Sequence, residues 1–152
     1  MKVRVSLAIL VAAFSFSCAE KAAVNTESPR KVITLPSTPE KRPYSPAIEA
    51  GNMLFVSGQI AIDPETGKLI EGDIEDQTRQ VLENLKTIIQ KGGYKMEQVV
   101  KCTVLLSDIS FYAAVNKIYM EYFPADPPAR MAFAVKDLPM GALIEIDAIA
   151  VK

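Results

Sequence analysis

The chain predicts one α+β domain behind a short amino-terminal leader. Three observations carry this. The 152 residues are the length of a single domain that buries about two thirds of its unfolded surface. Two segments, 73–93 and 110–123, place apolar residues at helical spacing. Runs at 31–35, 53–60, 99–106, 130–137 and 143–151 are β-branched or alternate apolar with polar residues, as strands do.

The first residues predict an address. Lys2 and Arg4 precede twelve residues, Val5 to Phe16, in which only serines interrupt the apolar run. That is the length of a signal-peptide core and too short to span a bilayer as a helix. Ser15-Phe16-Ser17-Cys18 resembles a loose bacterial lipoprotein box, which makes 1–17 a signal peptide and Cys18 the lipidated first residue of an exported, periplasmic or cell-surface protein. Ordinary cleavage after Ser17-Cys18-Ala19 is the alternative and releases a soluble periplasmic or secreted protein. Residues 18–30 then read as a polar tether, and 31–152 as the folded domain.

Within the domain, Lys31–Leu35 predicts a first strand, and Pro36 to Pro43 is a proline-rich approach unsuited to a sheet. Gly51-Asn52 has the chemistry of a hairpin turn between 47–49 and 53–60. Ser57-Gly58 interrupts the second of these strands, where a glycine marks either a bulge or a close approach to the backbone. From Asp73, as N-cap, to the stop at Gly92-Gly93, the residues Ile74, Thr78, Val81, Leu82, Leu85, Ile88 and Ile89 share one helical face. Val99–Leu106 is a strand whose Cys102 reads as a core thiol.

Ser110 is the expected cap of a second helix running to about Phe123. Phe111, Ala114, Val115, Ile118 and Tyr122 make its core stripe, while Tyr112, Asn116, Tyr119, Met120 and Phe123 form a second stripe beside it. A helix apolar on two sides has two things to pack against. Asn116 sits mid-helix, where propensity does not favour it, and reads either as a solvent-facing or as a site residue. Pro124, Pro127 and Pro128 stop the helix and lead to Arg130.

Composition narrows the chemistry. The chain has no histidine, which excludes Ser-His-Asp and Cys-His catalysis and His-ligated zinc. Without the leader, 15 basic residues face 18 acidic ones. A mildly acidic domain lacking a basic stripe is a poor nucleic-acid binder. Arg130 offers a planar fork that matches a carboxylate in a bidentate pair. Alternation along 143–151 puts Glu145 and Asp147 on one face, about 6–7 Å apart. Such a pair either titrates high and shuttles protons, or is a wet face paired with surface lysines. A simple hairpin about Met140 would leave Arg130 and Glu145 on the order of 15 Å apart. Either the two strands are not neighbours or a pocket draws on two chains.

Pro128-Ala129-Arg130, Leu138-Pro139 and Ile144-Glu-Ile-Asp-Ala-Ile-Ala-Val151, at these spacings, resemble the signature of the reactive intermediate deaminase (Rid, YjgF-like) family over residues 31–152. The resemblance implies a chorismate-mutase-like (bacillus type) mixed β-sheet with two α-helices packed on one face, forming a homotrimer with active sites between subunits. It implies hydrolysis of 2-aminoacrylate and related enamines or imines, of the 2-iminopropanoate/2-iminobutanoate type, to 2-keto acids and ammonium, with no cofactor and no metal. It makes Arg130 the holder of the substrate carboxylate and Glu145 the residue that positions or activates water. Tyr44, Ser57, Gly58 and Asn116 line the pocket. Ala132 stands where many members carry cysteine and offers only its backbone. A non-catalytic trimer that binds small carboxylates is the second expectation, and a ribonuclease-type activity the third.

Overall fold

A computed structural model describes residues 30–36 and 43–152. The predicted leader 1–17, Cys18 and almost all of the tether to residue 30 lie outside the described residues, as does most of the proline-rich approach.

Among the described residues, six strands form one mixed sheet in the order β1-β2-β3-β6-β4-β5. These are β1 Lys31–Ile33, β2 Ala47–Ala50, β3 Met53–Gln59, β4 Val99–Leu106, β5 Ala129–Ala134 and β6 Ile144–Val151. Two helices, α1 Ile74–Lys91 and α2 Tyr112–Tyr122, pack on one face. All neighbours are antiparallel except β4 and β5. β5 and β6 are therefore not a hairpin. β6 inserts between β3 and β4, while β5 forms an edge, and the chain between β4 and β5 crosses over through α2 as a parallel pair requires.

The core is the layer between helices and sheet. Every member of the expected α1 stripe is buried. Asp73 caps that helix: its Oδ1 accepts from the backbone N–H groups of Glu75 and Asp76 at 2.8 and 3.0 Å, and Asp76 reciprocates toward the Asp73 N–H. Gly93 ends it at φ 78°, a conformation that disfavours a Cβ. Gln77, absent from the expected stripe, is also buried, because its Oε1 accepts from the Leu143 N–H at 2.9 Å and ties α1 to the start of β6. In β6, Ile144, Ile146, Ala148 and Ala150 face the helices and are buried, as alternation predicts.

The second helix differs from expectation at its start. Asp108, not Ser110, supplies the cap: its Oδ1 accepts from the Ser110 N–H at 2.8 Å at the head of a 3-10 turn, Ile109–Phe111, that precedes α2. Aspartate is an acceptor without a competing donor, and its position two residues earlier lets the tighter turn form. Tyr119 and Phe123 of the second stripe belong to the core, their rings 4.7 Å apart.

Among the described residues the other sheet face carries no helix. It presents Val32, Ile48, Phe55 and Ile149 in one row across β1, β2, β3 and β6, and Phe133, Leu105 and Glu145 in another across β5, β4 and β6. Val32, Phe55, Met131 and Phe133 are each more than 40% exposed there.

Candidate active site

The register fixes where the two principal residues stand. Arg130 pairs with Cys102, which pairs with Ala148. Cys102 and Ala148 are buried under the helices, so Arg130 is on the helix side of the edge strand. Its Nη2 donates to Asn116 Oδ1 at 2.6 Å and to the Tyr112 hydroxyl oxygen at 3.2 Å. The guanidinium carbon lies 4.7 Å from the centre of the Tyr119 ring and 5.4 Å from that of Tyr112, positions in which the ring faces attract the cation. The second stripe of α2 thus covers Arg130. Among the described residues no carboxylate pairs with Arg130.

Glu145 pairs with Leu105, which pairs with Phe133, on the open face. It is three residues along and two strands across from the Arg130 level, on the order of 10 Å in each direction, and on the opposite side of the sheet. One chain does not bring the two together. Burial, and secondly the charge of Asp147, push the Glu145 carboxyl above the usual range. The Asp147 Oδ1 accepts from the Thr103 N–H at 3.0 Å, which anchors that carboxylate to β4.

Ser57-Gly58 is both a bulge and a close approach. Val56 pairs with Ala148 but Gln59 with Ile146, so β3 spends one residue more than β6 there. A Cβ on Gly58 would overlap the Glu145 carboxylate, which lies against the bared backbone. Ser57 Oγ donates to the Ser45 carbonyl at 2.7 Å, and its N–H donates to the Pro46 carbonyl at 3.0 Å. These bonds pin the Tyr44 segment to β3 and leave the Ser57 oxygen as an acceptor. Tyr44 is exposed and, with Ser57, Ile48, Phe55 and Arg30, lines an open hollow of about 520 Å³. Ala132, two residues beyond Arg130, shares its side of β5 and pairs with Val104.

The sequence-predicted residues therefore fall into two groups. Arg130, Asn116 and Ala132 gather at the helix side of the β5 edge. Tyr44, Ser57, Gly58 and Glu145 gather on the β3 and β6 strands and the segment before β2. Asn116 is a partner of Arg130 rather than a solvent-facing residue. Tyr112 and Tyr119 were not singled out as site residues by the sequence, although their spacing of four and three residues about Asn116 was the available signal. Cys102 is buried, and burial pushes its thiol up to about 11, as a core cysteine.

Fold and site together define an α+β protein with a half-buried arginine on the helix side of one sheet edge and a half-buried glutamate on the open face. A family model described as Endoribonuclease L-PSP matches residues 36–152. A RutC family protein of Pyrococcus horikoshii is 56% identical over 110 residues, 72% of this chain and 87% of the relative. The 2-iminobutanoate/2-iminopropanoate deaminase of Mus musculus is 41% identical over 124 residues, 81% of this chain and 92% of that protein. The solved structure of the Escherichia coli YjgF gene product superposes with a TM-score of 0.75 at 39% identity, covering 80% of this chain and 98% of that one. The chain belongs to the Endoribonuclease L-PSP family, which is the YjgF/Rid family.

Proposed function

We propose that the protein hydrolyses enamine and imine derivatives of 2-keto acids, releasing the keto acid and ammonium. Relatives named 2-iminobutanoate/2-iminopropanoate deaminase, at about 40% identity over most of both chains, support the reaction class. The observation that carries it in this chain is Arg130, held against Asn116, Tyr112 and Tyr119 with no acidic partner among the described residues. That is a site for a substrate carboxylate.

The chemistry asks little beyond orientation. A protonated imine carbon is already electrophilic, so water adds to it once a base takes a proton, and the resulting carbinolamine expels ammonia as its C–N bond breaks and the C=O bond forms. Arg130 holds the acid group. Glu145, whose carboxyl burial holds above the usual carboxylate range, takes the proton from water and returns it to the leaving nitrogen. The Ser57 oxygen accepts from the imine nitrogen side, and Tyr44 closes the same end.

Arg130 and Glu145 meet only if the β5 edge of one copy is set against the open face of another. The exposed Val32, Phe55, Met131 and Phe133 on that face favour burial against such a copy. We take the assembly to be a closed homotrimer with its sites between subunits. We also take the leader to export the mature protein, with Cys18 as a lipid anchor, so that its imines come from extracytoplasmic oxidation of amino acids. Mass spectrometry of the mature amino terminus tests that address.

The test of the reaction is the loss of semicarbazide-trapped imine in a coupled amino-acid oxidase assay with purified mature protein. Arg130→Ala abolishes it with the fold intact. Unchanged turnover in that variant overturns the assignment. A non-catalytic carboxylate-binding assembly is the second reading, favoured by the same Arg130 site. It requires that keto acid bind while imine persists. The family description names a ribonuclease, but a chain without histidine, acidic once its leader is removed, offers neither an imidazole pair nor a phosphate-binding stripe.

A further inference from the structure

A guanidinium has hydrogens to give and no lone pair with which to accept one. Tyr112 and Asn116 both accept from Arg130 Nη2, so each has turned an oxygen toward the cation and must direct its own hydrogens elsewhere. These are the phenolic hydrogen of Tyr112 and the two amide hydrogens of Asn116. Among the described residues neither group meets an acceptor, and Arg130 Nη1 and Nε meet none either. Tyr112 is exposed, and Asn116 and Arg130 are half-buried. Three neighbouring side chains therefore hold unspent donors around one positive charge.

Such a cluster is complementary to an anion with several lone pairs in a small space. We infer that Tyr112 and Asn116 bind the substrate carboxylate directly beside Arg130, Tyr112 through its O–H and Asn116 through its N–H. The inference rests on reading this site as the carboxylate end of an imine deaminase. It adds Tyr112 to the binding residues and assigns Asn116 a bond. The Tyr112 oxygen is 3.2 Å from Nη2, so an acid oxygen seated on the guanidinium at ordinary hydrogen-bond length is also within reach of the phenolic hydrogen. Tyr119 differs: its hydroxyl is buried with the Cys102 thiol beside it, so it is a positioning residue whose ring supports the cation. The substrate must be the free acid. A carboxamide replaces one acceptor oxygen with an NH₂, which accepts from none of these donors and carries no charge to meet the guanidinium.

The test uses 2-oxobutanoate and 2-oxobutanamide as probes in calorimetric titrations of the intact mature protein, beside imine turnover. Tyr112→Phe keeps the ring against Arg130 and removes only the hydroxyl. It is expected to weaken 2-oxobutanoate binding and raise KM about tenfold, the low end for a hydrogen bond to a charged group, while kcat changes less than about twofold. Tyr112→Leu, which also removes the ring, weakens binding further. The carboxamide does not compete with the acid. Wild-type affinity in Tyr112→Phe, with loss confined to Tyr112→Leu, overturns the direct contact in favour of support alone. So does equal binding of acid and amide, or no binding of either. Acid binding with this pattern but no imine turnover upholds the cradle and overturns the deaminase reading. Imine turnover with Tyr112→Phe indistinguishable from wild type does the reverse.

Discussion

The carboxylate of Glu145 rests on the backbone of Gly58, in the space where a side chain at that position would begin. The contact joins β6 to the bulge of β3 and gives the bulge its reason: one extra residue turns a bare Cα toward the acid. Gly58→Ala places a methyl group into a flexible side-chain end rather than into backbone. The fold is expected to survive, with a thermal midpoint within a few degrees of wild type. Glu145 must swing aside, and a base displaced by about 1 Å costs on the order of a hundredfold in kcat/KM. Imine turnover and a melting curve on the same sample check this. Full activity in Gly58→Ala would remove Glu145's present position from the mechanism.

Arg130 and Glu145 occupy opposite faces of one sheet, and the proposed site between subunits predicts that damage to either is repairable by a neighbouring copy. Arg130→Ala and Glu145→Gln are each expected to be inactive alone. Unfolded together in equal amounts and refolded, they form mixed assemblies in which a site with both residues intact arises at about one interface in four, by random choice of neighbours in a ring. Recovery of about a quarter of wild-type activity is the expected result. No recovery, in mixtures shown by mass to contain both chains, would place each complete site within a single chain.

The local part of this architecture was written in the sequence. The Asp73 cap and the stripe from Ile74 to Ile89 need only neighbours within four residues, and both stand as expected. The alternation from Ile144 to Ala150 likewise sorted β6 into a buried face and a face bearing Glu145 and Asp147. The order of strands was not legible. Nothing in 129–151 declares that β6 crosses to the middle of the sheet while β5 pairs in parallel with β4, since those pairings are between residues far apart in the chain. Asn116 shows the boundary between the two. Its spacing from Tyr112 and Tyr119 was visible, but that the stripe lies over Arg130 depends on the parallel register of β4 with β5.

Met140 sits at φ 57° and ψ 14° in the link from β5 to β6, 64% exposed. A residue with a Cβ in the left-handed region costs about 1 kcal/mol relative to one suited to it. Asparagine tolerates that conformation, and no packing is lost at so exposed a position. Met140→Asn is expected to raise unfolding stability by about 0.5–1 kcal/mol in urea titration, with imine turnover unchanged. A fall in stability would show that the side chain makes contacts in the assembly that outweigh the backbone strain.

The raised Glu145 pKa has consequences of opposite sign for stability and activity. Its folded-state value exceeds the unfolded one, first through burial and second through Asp147, so folding favours the neutral acid. The stabilisation this gives is complete below the unfolded pKa and is lost as pH rises through the folded value. Glu145→Gln, which keeps the shape over Gly58 without a charge, should gain on wild type in urea midpoint as pH is raised from acid to neutral. Activity runs the other way, because only the ionised carboxylate takes a proton from water, and kcat/KM should fall as pH drops through the folded pKa. Asp147→Asn separates the two causes. The asparagine oxygen still accepts from the Thr103 N–H, while the neighbouring charge is gone, so the acid limb of the pH profile should move to lower pH. It should still lie above the range of an exposed glutamate, since burial is the larger cause. A limb that stays in place or moves upward would mean that another group sets the profile.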